Sequence, residues 1–156
     1  MKKLVLPSLI ILVLLISSSQ TYEEQSLNAT LKALLPNKPF EALLSSFSIS
    51  YFGTVISIEE RGYYLFIEFI IRKGAHFFLF GLLALGIYLL LSFSKYRFII
   101  ALLLTVAFAS FDEYHQFLTG GRTPSYKDVL LDSMGACVFL CVVHLKNKYR
   151  RGTSSR

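Results

Sequence analysis

The sequence predicts an all-α integral membrane bundle of four transmembrane helices. Both termini face the cytoplasm, and a partly interfacial extracytoplasmic segment joins the first helix to the second. Three observations predict this. Hydrophobic residues fill 54% of the 156 positions and charged residues only 17%; with glycine included, the apolar fraction is about 60%, against roughly 45–50% in soluble domains. Four apolar stretches follow one another with polar connections between them. Finally, Lys2, Lys3, Lys95, Arg97, Lys146, Lys148, Arg150, Arg151 and Arg156 occupy the N-terminus, one short connector and the C-terminal tail, three places without a single acidic residue.

That asymmetry is the positive-inside rule, and it places the N-terminus, the connector Ser92 to Arg97 and the C-terminus in the cytoplasm. All ten acids (Glu23, Glu24, Glu41, Glu59, Glu60, Glu68, Asp112, Glu113, Asp128 and Asp132) fall in the other connections or at the helix ends beside them. The net charge of +6 is therefore a topology signal, and no nucleic-acid partner is expected. A chain this short forms one domain, read as a membrane domain over 1–148 with a basic cytoplasmic tail over 149–156.

The first span is set at 4–19. Its core, Leu4 to Ile16, is broken only by Pro7 and Ser8, and fits a short anchor and a signal-peptide core alike, with Ser17 to Ser19 as a cleavage region. From Gln20 to Gly62 the pattern is mixed. Ser26 is placed to cap a short helix that Pro36 stops. Between Phe40 and Ile58, the alternation of Phe47, Ile49 and Tyr51 with Ser48 and Ser50 suits a strand or a segment lying on the membrane surface.

Tyr63 to Leu91 is the longest apolar stretch, interrupted by Glu68 and by Arg72-Lys73-Gly74-Ala75-His76. As one helix it exceeds a hydrocarbon core of ~30 Å, so the second span is set at 74–91 with an interfacial lead-in from Tyr63. Phe98 to Phe111 alone is too short to cross; continued to Phe117 it makes a third span, 98–117, ended by Thr119-Gly120-Gly121. The fourth is 128–145, with Ser125 as its cap and Asp128 completing a box-like start. Cys137 and Cys141, four apart on this helix, have poor disulfide geometry and no nearby histidine pair for a metal, and are read as small packing residues.

This topology brings polar groups of three helices to one depth. The second helix enters with Arg72, Lys73 and His76; the third exits with Asp112, Glu113, His115 and Gln116; the fourth enters with Asp128 and Asp132, and Arg122, Ser125 and Lys127 lie between them. Asp112 lies roughly 8 Å below the outer surface, where ionisable groups are costly and mark function by default. Arg72 and His76, Asp112 and Gln116, and Asp128 and Asp132 are each one helical turn apart. Four bases against four acids suit a shared low-dielectric site. A balanced network could equally act as polar glue between helices. Favouring a site, His76 and His115 titrate near neutral pH, and Gly120-Gly121-Arg122 offers backbone N–H groups beside a guanidinium, suited to phosphate or carboxylate.

At these residues the chain resembles the VanZ-like family of small bacterial membrane proteins. Ser18-Ser19-Gln20 resembles the family's Ser-Ser-Gln after its first helix, and Arg72-Lys73-Gly74-Ala75-His76-Phe77 its R-K-x-A-H-F. Asp112-Glu113-Tyr114-His115-Gln116-Phe117, Gly121-Arg122, Ser125, Asp128-Val129 and Gly135-Ala136 resemble its D-E-x-x-Q-x-F, G-R, S, D-V and G-A in order. The resemblance implies a retained first helix, the bacterial cytoplasmic membrane as location, and an association with low-level resistance to the glycopeptide teicoplanin. In one departure, Leu79-Phe80 stands where the family usually has Glu-Tyr; in a milder one, Asp132 stands where the family often has Asn or Asp.

Three functions compete. The first is binding or remodelling of an anionic envelope lipid, a lipid-linked cell-wall precursor or a glycopeptide. The ligand-binding candidates are Arg72, Lys73, His76, Asp112, Glu113, Gln116, Arg122, Ser125, Asp128 and Asp132. The second is a membrane-embedded transferase or hydrolase of a lipid-linked substrate, with His76, His115, Asp112 and Glu113 as acid–base candidates. The third, a transporter component, is disfavoured because the third and fourth helices are apolar below Ser110 and Ser133. No nucleophile motif or metal spacing is clean, so neither a metal nor a cofactor is expected.

Overall fold

The computed structural model describes residues 2–21, 23–92, 94–120 and 125–153, with side chains for 4–21, 23–92, 94–119 and 125–147. Its elements run α1 (Lys2–Ser18), α2 (Asn28–Leu34), α3 (Glu41–Leu44), β1 (Ile49–Tyr51), β2 (Thr54–Ile56), α4 (Ile58–Arg61), α5 (Tyr63–Leu90), α6 (Arg97–Gly120) and α7 (Tyr126–Thr153). The chain divides into two compact units, one of residues 1–21 with 75–156 and one of Tyr22–Gly74.

The smaller unit is built from short elements. β1 and β2 pair antiparallel through Ile49 with Ile56 and Tyr51 with Thr54. The two-residue turn places Phe52 at φ 47° and Gly53 at φ 84°, the left-handed pair that matches the twist of a hairpin. Of the two expectations for this stretch, a strand forms at 49–51, but Ile49 and Ser50 are both exposed, so the alternation does not mark a buried face. Ser57 caps α4 by accepting the Glu60 N–H at 3.2 Å, a Ser-x-x-Glu start. Ser26 is not the cap of α2: Leu27 holds that position, and the Ser26 hydroxyl accepts the Asn28 N–H from one residue further out. Ile56, Ile58, Tyr63 and Phe66 form this unit's core, and the Tyr63 and Tyr64 hydroxyls donate to the carbonyls of Pro39 and Leu35.

The larger unit is a helical bundle. Ile10 and Leu14 of α1 pack with Phe80 and Leu83 of α5 and Ala109 of α6. A second cluster joins Ala84, Tyr88, Ala101, Ala136 and Leu140; three alanines among five residues let helix backbones approach closely, as in membrane helix packing. Tyr63–Leu90, Arg97–Thr119 and Tyr126–Asn147 are long and apolar enough to cross a membrane, and Leu4–Ser18 is a shorter apolar helix.

Two helices run beyond the spans set for them, and the expectation for the cysteines changes. The second apolar helix begins at Tyr63 without a break at Gly74, so lead-in and span are one helix; the compact units nevertheless divide between Gly74 and Ala75. α7 runs past Leu145 to Thr153, because Lys, Asn, Tyr and Arg continue a helix at little cost. Cys137 and Cys141 are exposed rather than packed inside. α7 turns Asp132, Gly135, Ala136 and Leu140 inward, which leaves the cysteine positions on its outer face.

Candidate functional site

The bundle gathers a polar cluster where α1 ends, α6 ends and α7 begins. Asp112, 1% exposed, has both carboxylate oxygens engaged. The Ser18 hydroxyl of α1 donates to Oδ1, and Gln116 Nε2, one turn along α6, donates to Oδ2 at 2.7 Å. The Thr119 hydroxyl lies 2.8 Å from the Ser18 carbonyl oxygen and 2.8 Å from that of His115. Glu113 Oε2 accepts the Ser125 backbone N–H at 2.9 Å, so α6 reaches the residue from which α7 starts. Ser125 enters through its backbone, its carbonyl accepting the Asp128 N–H at 3.0 Å.

Asp132 is equally buried, 1% exposed, but it is not saturated. His76 Nδ1 stands 3.5 Å from Oδ2, whereas Oδ1 has no hydrogen-bond partner among the described residues. Asp112 and the half-buried Asp128 are both within electrostatic reach of it. The His76 side chain keeps 20% of its surface exposed, and its ring stacks on Phe80 at 6.0 Å between centroids. Phe80 is wholly buried, so in place of the expected Glu-Tyr pair this chain sets an apolar floor beneath the imidazole.

One glycine makes the meeting of His76 and Asp132 possible. A Cβ at Gly135 would fall on the carbonyl oxygen of Phe77, so α7 and α5 touch backbone to backbone one residue past His76. Asp132 lies three residues before Gly135, on the same face of α7.

The remaining candidates have other described surroundings. Arg72 belongs to the smaller unit, where Nη2 donates to Glu68 Oε1 at 2.6 Å and to the Gln25 carbonyl at 3.4 Å. Glu68, 2% exposed, also accepts from the Ser26 hydroxyl at 3.4 Å. One partner of Arg72 is thus a carboxylate one turn earlier on the same helix, an i, i+4 pair. Lys73 lies over the rings of Tyr51 and Phe69, at 5.5 and 5.8 Å. His115 is half-buried, stacks on Phe111 at 6.2 Å, and has Nδ1 without a partner among the described residues. Arg122 lies outside the described residues.

A family model described as VanZ/LLP1 matches residues 4–147. The chain belongs to the VanZ/LLP1 family. No curated protein and no solved structure matches it. The match runs from α1 into the basic end of α7 and takes in every residue of the cluster. In this VanZ/LLP1 chain the sequence reading left Ser18 and Thr119 out of the cluster, and Glu68 out of the pairing that Arg72 makes in the smaller unit. Ser18 was marked as part of a cleavage region and of Ser-Ser-Gln; a hydroxyl ending an apolar helix at the depth of Asp112 is the signal that finds it. Glu68 is found by its spacing of four from Arg72. No group of three or more His, Cys, Asp or Glu side chains suited to a metal ion occurs among the described residues.

Proposed function

We propose that this VanZ/LLP1 protein is a four-span protein of the bacterial cytoplasmic membrane, with both termini inside. At its extracytoplasmic end it binds or remodels an anionic envelope lipid or lipid-linked cell-wall precursor, and through that contributes to glycopeptide (teicoplanin) resistance. The observation that carries this reading is Asp132. Ser18, Asp112 and Gln116 complete one another's hydrogen bonds, as structural glue does. Asp132 is as deeply buried, yet one carboxylate oxygen has no donor among the described residues, a deficit worth ~1–3 kcal/mol or more for a charged group. A ligand bringing a hydroxyl, amide or ammonium donor removes it, and sugar or peptide headgroups carry such donors. The phosphate of that ligand falls to Arg122, which the sequence places between α6 and α7.

The test compares Asp132→Leu, His76→Ala and Arg122→Ala. Each is measured for membrane abundance, retention of lipid-linked precursor in vesicles, and teicoplanin sensitivity. The expected result is normal abundance with retention and protection both lost. Normal retention and protection in Asp132→Leu removes the proposal, and loss of abundance in all three assigns the cluster to structure.

A second reading has its own observation. His76 is partly open and backed by the buried carboxylate of Asp132, which is the arrangement of an oriented general base. A membrane-embedded transferase or hydrolase would use it with Asp112 or Glu113 as the acid and His115 as a further acid–base group. Turnover of a lipid-phosphate library, abolished in His76→Ala and Asp112→Asn, decides for this reading.

A further inference from the structure

At the opposite end of the bundle a groove of about 410 Å³ opens between the start of α6 and the end of α7. Tyr96, Phe98, Ile99, Cys141 and Leu145 give it apolar walls, and Lys95 and His144 complete the lining. Ile99 and Asp112 are thirteen residues apart on α6, about 20 Å along the helix, so the groove is separate from the polar cluster. We propose that it holds one phospholipid with an anionic headgroup, acyl chain along Ile99, Cys141 and Leu145 and headgroup at Lys95.

Charge complementarity selects this occupant. The chain has no Asp or Glu between Glu68 and Asp112 and none after Asp132, so neither helix supplies a carboxylate near the groove. Among the described residues Lys95 lines the groove, and Arg97 and Lys146 adjoin its lining residues in the sequence. Lys95 lies 4.8 Å over the Tyr96 ring and Arg97 4.2 Å over the Tyr88 ring, contacts that leave a full positive charge to meet an anion. A tyrosine at the mouth, aliphatic walls and a lysine rim match a lipid at the level where headgroup meets chain. The volume falls in the range of small-ligand pockets, so it suits a segment of one lipid rather than a protein domain.

The full chain, purified in mild detergent, is exposed to equal amounts of phosphatidylglycerol and phosphatidylcholine, and retained lipid is counted by native mass spectrometry. One phosphatidylglycerol per chain is expected beyond any copy that Arg122→Ala removes, in preference to phosphatidylcholine, and it is this copy whose retention is followed. Each basic residue near a headgroup contributes roughly fivefold to such binding. Lys95→Glu should therefore weaken retention at least tenfold, whereas Lys32→Glu leaves it unchanged. Ile99→Trp fills the groove without altering charge and should abolish retention with an unchanged helical circular dichroism spectrum. Equal retention of both lipids, retention that survives Ile99→Trp, or a dimer that shields Cys141 and carries no lipid each overturns the proposal.

Discussion

Gly135 and the carbonyl oxygen of Phe77 are so close that a single methyl group between α7 and α5 has nowhere to go. The contact sets the separation of the two helices next to His76 and Asp132. Gly135→Ala is expected to push them apart and destabilise the bundle by ~1–3 kcal/mol, the usual scale of overpacking. Gly74→Ala, on the same α5 but with nothing within 4 Å of the added carbon, should be neutral or stabilise by up to ~1 kcal/mol through helix propensity. Thermal unfolding followed by circular dichroism separates the two.

Ser18→Ala removes the donor to Asp112 Oδ1 while leaving Gln116 in place. A buried carboxylate short of one bond costs ~1–3 kcal/mol. In Ser18→Ala/Asp112→Ala the loss should be smaller than the sum of the single losses, because the two residues share one interaction. Additive melting shifts would show that the pair contributes no coupling.

Phe80 carries two tasks, as core residue and as the surface beneath the His76 ring. Phe80→Ala is expected to cost ~3–5 kcal/mol through the cavity it leaves. Phe80→Leu should keep most of the stability but free the imidazole, which NMR of labelled His76 would report as a loss of ring-current shift.

Cys137 and Cys141 are exposed on an apolar helix, so in a bilayer lipid covers them. N-ethylmaleimide should label both in intact vesicles, while a charged, impermeant maleimide should label them only after solubilisation. Labelling of Cys137 by the charged reagent from outside would contradict the span assigned to α7.

Much of the fold was legible because its signals are long and additive. Apolar runs announce α5, α6 and α7, and cations mark one end of the bundle. Spacing of four gave Asp112 with Gln116, which the structure joins by a hydrogen bond. Partners far apart in the chain were not legible: no periodicity relates Ser18 to Asp112, ninety-four residues apart. Counting bases against acids also passed over Glu68, one turn from Arg72 and bonded to it. The cysteines were misplaced because apolar composition does not say which side of a helix faces lipid. α7 needed the position of Gly135 to settle that.

The clasp between α1 and α6 also bears on what would happen if the chain were cut. α1 fills the core with Ile10 and Leu14 and completes Asp112 through Ser18. A break in the backbone after Ser19 would leave those contacts in place. The severed helix would persist as a small non-covalent subunit, and a chain starting at Gln20 should recover its fold when α1 is supplied as a separate peptide.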